Sequence, residues 1–362
     1  MDIEEHRFPC DTCGADMRFA PDQGQLVCDH CGKKQGIDAD QSDRSYTNEL
    51  DYLAALNSDL PDQEIEEFRV LSCPNCGAQV EFDDNNHSSE CPFCATPVVT
   101  DTGTHRQIKP SGLLPFALSE SDGRKAMVDW MGALWFAPNE LKDYARKGRK
   151  LGGIYVPYWT YDADTKSRYR GEKGTVYYET RAVRRNGKTE TQRVQKVRWR
   201  AKSGRVARWF DDVLVLGSKS LPKKFTDALQ PWDLSALEPY QPEYLAGFRA
   251  EGYTVEIAEG FKEARNHMDR VIRRDVKFSI GGDRQRIDDI QTDVSKVTFK
   301  HILLPVWMAA YKYRGQTYRF VVNGHTGRVQ GQRPWSVWKI LFAVIVVVII
   351  ATGIGYFAAM QQ

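Results

Sequence analysis

The sequence predicts an α+β fold that begins with two small four-cysteine units, continues as a strand-rich domain and ends in one apolar helix. Three observations lead to this prediction: eight cysteines confined to the first 94 residues, a middle region rich in β-branched and aromatic residues, and a C-terminal run without charge. A chain of 362 residues is long enough for more than one domain and a real hydrophobic core. Disorder along the whole chain is therefore excluded.

The cysteines form two sets with the same spacing. Each set has two Cys-x2-Cys pairs separated by 14 residues, and the second set follows the first at an offset of 63 residues. Such pairs, with glycine in the turns (Gly14, Gly32, Gly77), bring four thiolates to one tetrahedral ion. Disulfides and redox Cys-x-x-Cys sites are the alternatives, but a registered duplication in a chain without a visible secretory signal favours zinc. We predict two structural zinc ions, held by Cys10, Cys13, Cys28 and Cys31 and by Cys73, Cys76, Cys91 and Cys94.

Closed four-cysteine sites have no open position for water or substrate, so these ions are expected to support folding rather than catalysis. His30 and His87 are possible competing ligands, although a solvated loop position is the simpler interpretation of each. The predicted ribbons span residues 1–36 and 71–100. Residues 1–104 carry 6 basic and 22 acidic side chains, and this net charge of −16 would repel a phosphate backbone. Protein contact is the expected use of the ribbons.

An acidic spacer, residues 37–70, separates the ribbons. Its apolar positions Leu50, Leu53 and Leu56, and then Ile65 and Phe68, fit one or two short amphipathic helices. A polar run at residues 100–106 marks the predicted boundary to the larger domain.

The larger domain, residues 105–334, is predicted to be α+β with strands predominating. Helical spacing appears at residues 121–134 and 259–274, whereas four segments are rich in β-branched and aromatic residues: 154–161, 176–183, 194–199 and 297–313. A faint repeat relates Ile-Tyr-Val-Pro-Tyr-Trp at 154–159 to Ile-Leu-Leu-Pro-Val-Trp at 302–307. This repeat predicts two related β-hairpin units in one domain.

A hairpin turn at Asn186-Gly187 predicts a protruding two-stranded arm. A two-residue turn would pair Arg185 with Lys188 and Val176 with Val197. The arm could be a solvated edge protected by charge, or a binding element for anionic lipid, an acidic partner or nucleic acid. Between residues 181 and 200 one acid, Glu190, stands against eight candidate binding residues: Arg181, Arg184, Arg185, Lys188, Arg193, Lys196, Arg198 and Arg200.

The C-terminal run from Ile340 to Met360 contains 21 uncharged residues, enough at about 1.5 Å per residue to cross a hydrocarbon core of about 30 Å. No acidic residue follows Asp293, whereas several Lys and Arg residues precede the span, so its flank should be cytoplasmic. Trp335, Trp338 and Tyr356 should lie at the interfaces. We therefore expect a tail-anchored, single-pass membrane protein whose bulk is cytosolic.

The sequence contains neither of the catalytic motifs HExxH and GxSxG. The segment Gly187-Lys188-Thr189 resembles the end of a phosphate-binding loop, but the first glycine of that motif is missing because residue 182 is Ala. The expectation is a protein that is not an enzyme.

The tandem ribbons, the segment Ile108-Lys-Pro-Ser-Gly-Leu-Leu-Pro-Phe116, the strand Tyr155-Val-Pro-Tyr-Trp159 and the terminal span together resemble a bacterial membrane-protein family with zinc ribbons of the transcription-factor-IIB type. Members are often labelled primosomal proteins or superfamily II helicases, but no helicase motif occurs here. The resemblance implies an adaptor at the bacterial inner membrane that binds phage-shock protein A and stomatin-like or virion-core-like proteins under envelope stress. Three classes stay open: this adaptor, which is favoured, a membrane-held nucleic-acid-binding protein, and an unrecognised enzyme.

Overall fold

The computed structural model describes most of the chain. The described residues are 8–37, 48–58, 60–61, 64–73, 75, 77–81, 88–91, 93, 97–99, 103–138, 151–185, 188–313, 316–332 and 335–360. They form a strand-rich α+β body with an N-terminal four-cysteine ribbon and one C-terminal apolar helix, which confirms the predicted fold class.

Ribbon 1 is a three-stranded antiparallel sheet made of β1 (Met17–Ala20), β2 (Gln25–Cys28) and β3 (Lys34–Gln35). The segment that follows it contains β4 (Leu50–Asp51) and the short helix α1 (Tyr52–Leu56), which Asp51 caps by accepting from the Ala54 N–H at 2.8 Å.

The prediction of a helix at the end of the acidic spacer is wrong. The apolar positions Ile65 and Phe68 lie in a strand, not a helix, and residues 103–108 form another strand that pairs with it, with Ile65 opposite Ile108. The pairing gives both segments backbone hydrogen-bond partners that an isolated helical turn would lack. The strands here are β5 (Ile65–Ser72), β6 (Gln79–Glu81), β7 (Ser88–Glu90), β8 (Pro97–Val99) and β9 (Gly103–Ile108).

The body is built on a curled nine-stranded sheet in which three very long strands lie side by side in the order β12, β11, β15. Eight of its strands are β10 (Gly112–Leu113), β11 (Gly152–Arg185), β12 (Lys188–Leu216), β13 (Glu238–Pro239), β14 (Arg249–Ala250), β15 (Arg284–Tyr313), β16 (Gln316–Asn323) and β17 (Val329–Gly331), and the ninth is β4, which pairs with β15. Its helices are α2 (Glu120–Gly132), α3 (Lys223–Ala228) and α4 (Ile257–Ile280), with α5 (Val337–Met360) at the C-terminus.

The segments predicted as separate strands at 154–161 and 176–183 belong to one strand, β11. The intervening stretch continues the alternation of the strand: Ala163, Thr165, Ser167 and Tyr169 are buried, while the residues between them are charged and mostly exposed. Because the outward-facing residues are polar, this stretch contains no continuous apolar run, and the sequence pattern therefore suggested two strands instead of one.

The internal repeat is a feature of the fold. Its two segments pair with each other in β11 and β15, with Tyr155 opposite Pro305 and Pro157 opposite Leu303. The carbonyl of each proline accepts an N–H from the glycine that directly follows the other strand of its own hairpin: Gly217 for Pro157 and Gly324 for Pro305, both at 2.8 Å. The hairpins β11–β12 and β15–β16 are therefore arranged as two equivalent units.

Helix α4 covers one face of the three long strands. Its buried residues recur every three or four positions, as the predicted helical spacing requires, and include Ala264, Met268 and Ile272. Close contact at its start needs glycine, because a Cβ on Gly260 would lie 2.5 Å from Tyr161 Oη. The helix follows the strands from Tyr161, whose hydroxyl donates to Ile257 O, to Gly171, beside Ile280.

Candidate zinc centre, buried carboxylates and basic arm

The cysteine pairs of ribbon 1 lie in two tight turns of the same geometry. Gly14 N–H donates to Cys10 O at 2.7 Å, and Gly32 N–H donates to Cys28 O at 2.9 Å. The glycines have φ values of 73° and 74°, a left-handed conformation that favours glycine. These turns confirm the predicted use of Gly14 and Gly32.

The four sulfurs of ribbon 1 are placed for one tetrahedral ion. Cys10 Sγ lies 3.5 Å from Cys31 Sγ, Cys13 Sγ lies 3.5 Å from Cys28 Sγ, and all four atoms fall within 4.8 Å of one another. Zn–S bonds of about 2.3 Å in a tetrahedron require sulfur separations of about 3.8 Å, so this donor set fits Zn²⁺. His30 is exposed and is not part of the cluster.

The thiols of ribbon 1 cannot all ionise without a cation. The Thr12 N–H lowers the pKa of Cys10 to about 6, and the Cys31 N–H lowers the pKa of Cys28. The pKa of Cys13 is raised to about 12, because burial and the neighbouring thiols outweigh the Ala15 N–H, which acts to lower it. A bound metal ion would compensate this crowding of negative charge.

Ribbon 1 packs firmly on the body. Phe19 N–H donates to Ala246 O at 2.9 Å, and the Phe19 ring meets the ring of Tyr244 edge-on with centroids 5.2 Å apart. The contact continues inward through Phe248, which stacks on Phe116 at 4.3 Å. Ribbon 1 is therefore docked on the body through Phe19.

Ribbon 2 repeats part of this geometry. Gly77 N–H donates to Cys73 O at 2.8 Å with φ of 71°, and Cys73 and Cys91 are buried against the sheet. Cys76, Cys94 and His87 lie outside the described residues.

A buried charged cluster that the sequence does not reveal lies where both neighbours of β11 shift register. Asp162 is 2% exposed and accepts from the Asp212 N–H at 2.7 Å. Glu49 accepts from the Thr298 hydroxyl, and Lys300 Nζ lies 3.5 Å from Glu49 and 2.9 Å from Asp212. Because Lys300 already supplies a cation, we interpret the cluster as a buried ion-pair network that ties the spacer to the sheet.

Burial and the hydrogen bond with Glu49 raise the pKa of Asp162 to about 8. For Glu49, burial acts to raise the pKa, but the hydrogen bonds of Asp162 and Thr298 and the charge of Lys300 outweigh it and lower the pKa. One proton is therefore shared within the pair at neutral pH.

The pH dependence of stability tests this pair. An acid whose pKa is raised on folding contributes stability that is lost as pH rises from its unfolded pKa towards its folded one, here from about 4 to about 8. Asp162→Asn keeps an acceptor for Asp212 N–H but cannot ionise, so its thermal midpoint should fall less than that of the wild type between pH 6 and 8. The exposed Asp129→Asn on α2 is the matched control. Superimposable profiles for wild type and Asp162→Asn would disprove the shared proton.

The arm has the predicted register. Arg185 lies opposite Lys188, Arg181 opposite Gln192 and Val176 opposite Val197. Beyond Gly174, where β15 begins at Arg284, β11 has only β12 beside it among the described strands. Residues 175–185 and 188–198 thus form a free two-stranded ribbon, and this ribbon, together with the opposed pair Lys173 and Arg200 at its base, is called the basic arm below.

The register places most of the arm's charge on one face. Odd-numbered positions of β11 face α4, as Tyr169 Oη shows by lying 2.7 Å from Ser279 Oγ. Directly opposed residues share a face, so Arg193, opposite Thr180, falls on the other side. The side chains of the predicted residues Arg184, Arg185 and Lys188 lie outside the described part of the chain. Among the side chains that the structure describes, the face on the α4 side holds Lys173, Arg181, Lys196, Arg198 and Arg200.

Arginines cover the aromatic rings of the arm. Arg193 lies 4.2 Å from the ring centroid of Tyr178, and Arg198 lies 5.2 Å from that of Tyr177. Lys196 pairs with Glu179, whereas Arg181, Arg198 and Arg200 form no ion pair with another described residue. The guanidinium groups of Arg181, Arg198 and Arg200 are exposed, and that of Arg198 is held over the ring of Tyr177.

The arm extends away from the end of the sheet at which α5 begins. Gly152, at the start of β11, lies opposite Met308, and β16 and β17 join that same end of the sheet to α5. From Tyr161 to Arg185 the strand advances 24 residues, about 80 Å at about 3.3 Å per residue. This length is about ten times the Debye length in physiological salt.

Helix α5 meets the requirements of a membrane span. The stretch Val337–Tyr356 has a mean hydropathy of 2.7 over its most apolar window, and none of that window is buried inside the protein. Twenty-four helical residues extend about 36 Å. The helix begins three residues before the predicted start.

The fold and site define a class: an N-terminal four-cysteine zinc ribbon on a strand-rich α+β body with a C-terminal helix that fits single-pass membrane anchoring. Residues 4–36 match the family model described as the zinc finger of RNA-polymerase I-specific TFIIB, Rrn7. The chain is 25% identical over 336 residues to the uncharacterized protein YdjG of Bacillus subtilis (strain 168), covering 92% of this chain and 91% of that protein. No solved structure matches the chain.

Proposed function

We propose that this protein is a non-catalytic, tail-anchored adaptor that recruits protein partners at the cytosolic face of the bacterial inner membrane. The main support is the position of two features at opposite ends of the large sheet. At one end is an apolar helix that is not buried in the protein, and at the other is a charged, exposed arm. The proposed orientation rests on the absence of acidic residues after Asp293.

Ribbon 2 is proposed to hold a second structural zinc ion. Support comes from the Cys73 turn, which repeats the Cys10 turn in hydrogen bonding and in the glycine conformation. Closed sulfur sites of this kind support an assembly role rather than hydrolysis.

The family resemblance supplies candidates for the partners and their context: phage-shock protein A, stomatin-like or virion-core-like proteins, and envelope stress. The basic arm is proposed as one recruiting surface, because it offers arginines without ion-pair partners among the described residues. An acidic protein surface would complement them.

Charge reversal of the arm tests its recruiting role. Arg181→Glu, Arg198→Glu and Arg200→Glu together should weaken partner capture from detergent-solubilised, crosslinked membranes by about two orders of magnitude, since each charge at such a surface contributes about 1 kcal/mol. The matched control reverses three exposed charges elsewhere, Lys125, Lys224 and Arg249. Equal capture by both triple variants would remove the arm from the proposal.

Nucleic-acid binding is the second candidate, favoured by the five described basic residues on one face of the arm. Single-stranded binding relies on bases stacking on aromatic rings, and here arginines already lie over Tyr177, Tyr178 and Trp199. The wild type and the two triple variants can be compared for binding of duplex DNA. If the wild type binds in a salt-dependent way, the arm variant does not and the control variant does, nucleic-acid binding replaces partner recruitment as the favoured function.

A further inference from the structure

The first turn of α5 is tied to a loop that is distant in sequence. Ser336 N–H donates to Phe136 O, and Lys339 Nζ donates to Ala137 O, both at 2.8 Å. The rings of Phe136 and Trp335 are in contact, with centroids 6.3 Å apart. These contacts hold residues 133–138, called the Trp135 loop below, beside the point where the apolar helix begins.

The Trp135 loop exposes an indole between two buried anchors. Leu134 and Ala137 are buried in the core beneath α2, which fixes the backbone on both sides of Trp135. Trp135 itself is 80% exposed, as is Trp338 in the first turn of α5. A large apolar ring held outward by its neighbours indicates a surface that something else covers.

We propose that the Trp135 loop enters the headgroup layer of the bilayer that α5 spans and forms a second attachment point. This rests on the proposed anchoring by α5. Any bilayer that surrounds Val337–Tyr356 has its interface near Ser336, to which the loop is hydrogen-bonded. Indole rings favour that layer because they combine an apolar ring with an N–H donor.

Continuity with the span favours lipid over a second copy of the chain as the occupant. The loop and the helix root present three tryptophans together, Trp135, Trp335 and Trp338, and the helix itself requires lipid around it. A single flexible connection would leave the body free to tilt. Two attachment points fix its tilt, and with it the direction in which the basic arm extends.

Site-specific photocrosslinking of the full-length protein tests the proposal. p-Benzoylphenylalanine replaces Trp135, Trp338 as the positive control, or Phe278 as the matched control, since Phe278 is 91% exposed but lies on α4. Each variant is reconstituted in phosphatidylethanolamine–phosphatidylglycerol vesicles, irradiated and weighed by mass spectrometry. We expect phospholipid adducts at position 135 within about twofold of position 338 and about tenfold above position 278.

The possible outcomes distinguish a failure of the loop proposal from a failure of the proposed anchoring by α5. Adducts at 338 with position 135 at the level of 278 would overturn the loop proposal alone, as would protein–protein crosslinks at 135 in place of lipid adducts. Adducts at neither 135 nor 338 would overturn the anchoring by α5, and the loop proposal with it.

A second measurement needs only a conservative substitution. Lipids brominated near the headgroup quench tryptophans at the interface, so Trp135→Phe should lower the quenched share of the protein's fluorescence. Trp209→Phe, which removes a half-exposed indole on β12, should raise that share by deleting an unquenched emitter. Equal changes in both variants would contradict the proposal.

Discussion

Replacing Cys28 by serine is expected to release one zinc ion per chain and to unfold ribbon 1 while the main sheet stays folded. Cys28 is fully buried, and its sulfur lies 3.5 Å from that of Cys13. Ribbon 1 has a small core of its own, so most of its folding energy should come from the metal, which contributes about 10–16 kcal/mol in zinc-finger peptides. Elemental analysis gives the zinc count, and hydrogen exchange at Phe19 N–H reports the contact with Ala246.

His30→Ser is the control for this variant, because His30 lies in the same turn as Cys28 and Cys31 but is exposed and outside the sulfur cluster. It should keep both the zinc and the protection of Phe19. Retention of the full zinc count by Cys28→Ser would refute the four-sulfur assignment.

The same analysis counts the ions. Two zinc ions are expected in the wild type, one in Cys28→Ser, one in Cys73→Ser and none in the double variant. A wild type with one ion that disappears in Cys28→Ser would leave ribbon 1 intact as a zinc site and overturn the proposed site in ribbon 2.

Features specified by local chemistry could be predicted from the sequence. The cysteine spacing determines the geometry of ribbon 1, and the two-residue turn determines the register of the arm, because an antiparallel hairpin has no freedom once its turn is set. Helix α4 follows from its apolar period, and α5 from its uncharged length.

Features that depend on distant partners could not be predicted. Residues 65–72 form a strand because residues 103–108 pair with them. The spacing of their apolar residues also fits a helix, so the spacing alone does not reveal the pairing. The charged cluster joins Glu49, Asp162 and Lys300, which the fold brings together from three separate regions. One signal was present: Asp162 directly follows the aromatic-rich segment Tyr158–Tyr161, which was predicted to be a strand, and this is an unusual place for an acidic residue.

Removal of residues 335–362 is expected to convert the protein from a membrane-integral to a soluble form. No other helix among the described residues is long and apolar enough to span a bilayer. The shortened chain keeps the Trp135 loop, but one exposed indole gives weak, reversible binding compared with a buried span of 20 residues. Alkaline carbonate extraction of membranes measures the difference, with full-length Trp135→Ala as the control that should stay in the pellet.

Protease added to intact spheroplasts completes this test, because the proposed orientation keeps both ribbons and the arm inside. The exposed arm, with its many Lys and Arg residues, should be cut by trypsin only after lysis. A truncated chain that resists carbonate extraction would show that α5 is not the anchor. Cleavage of the arm in intact spheroplasts would instead place the body on the outer side of the membrane and reverse the orientation inferred from the basic flank.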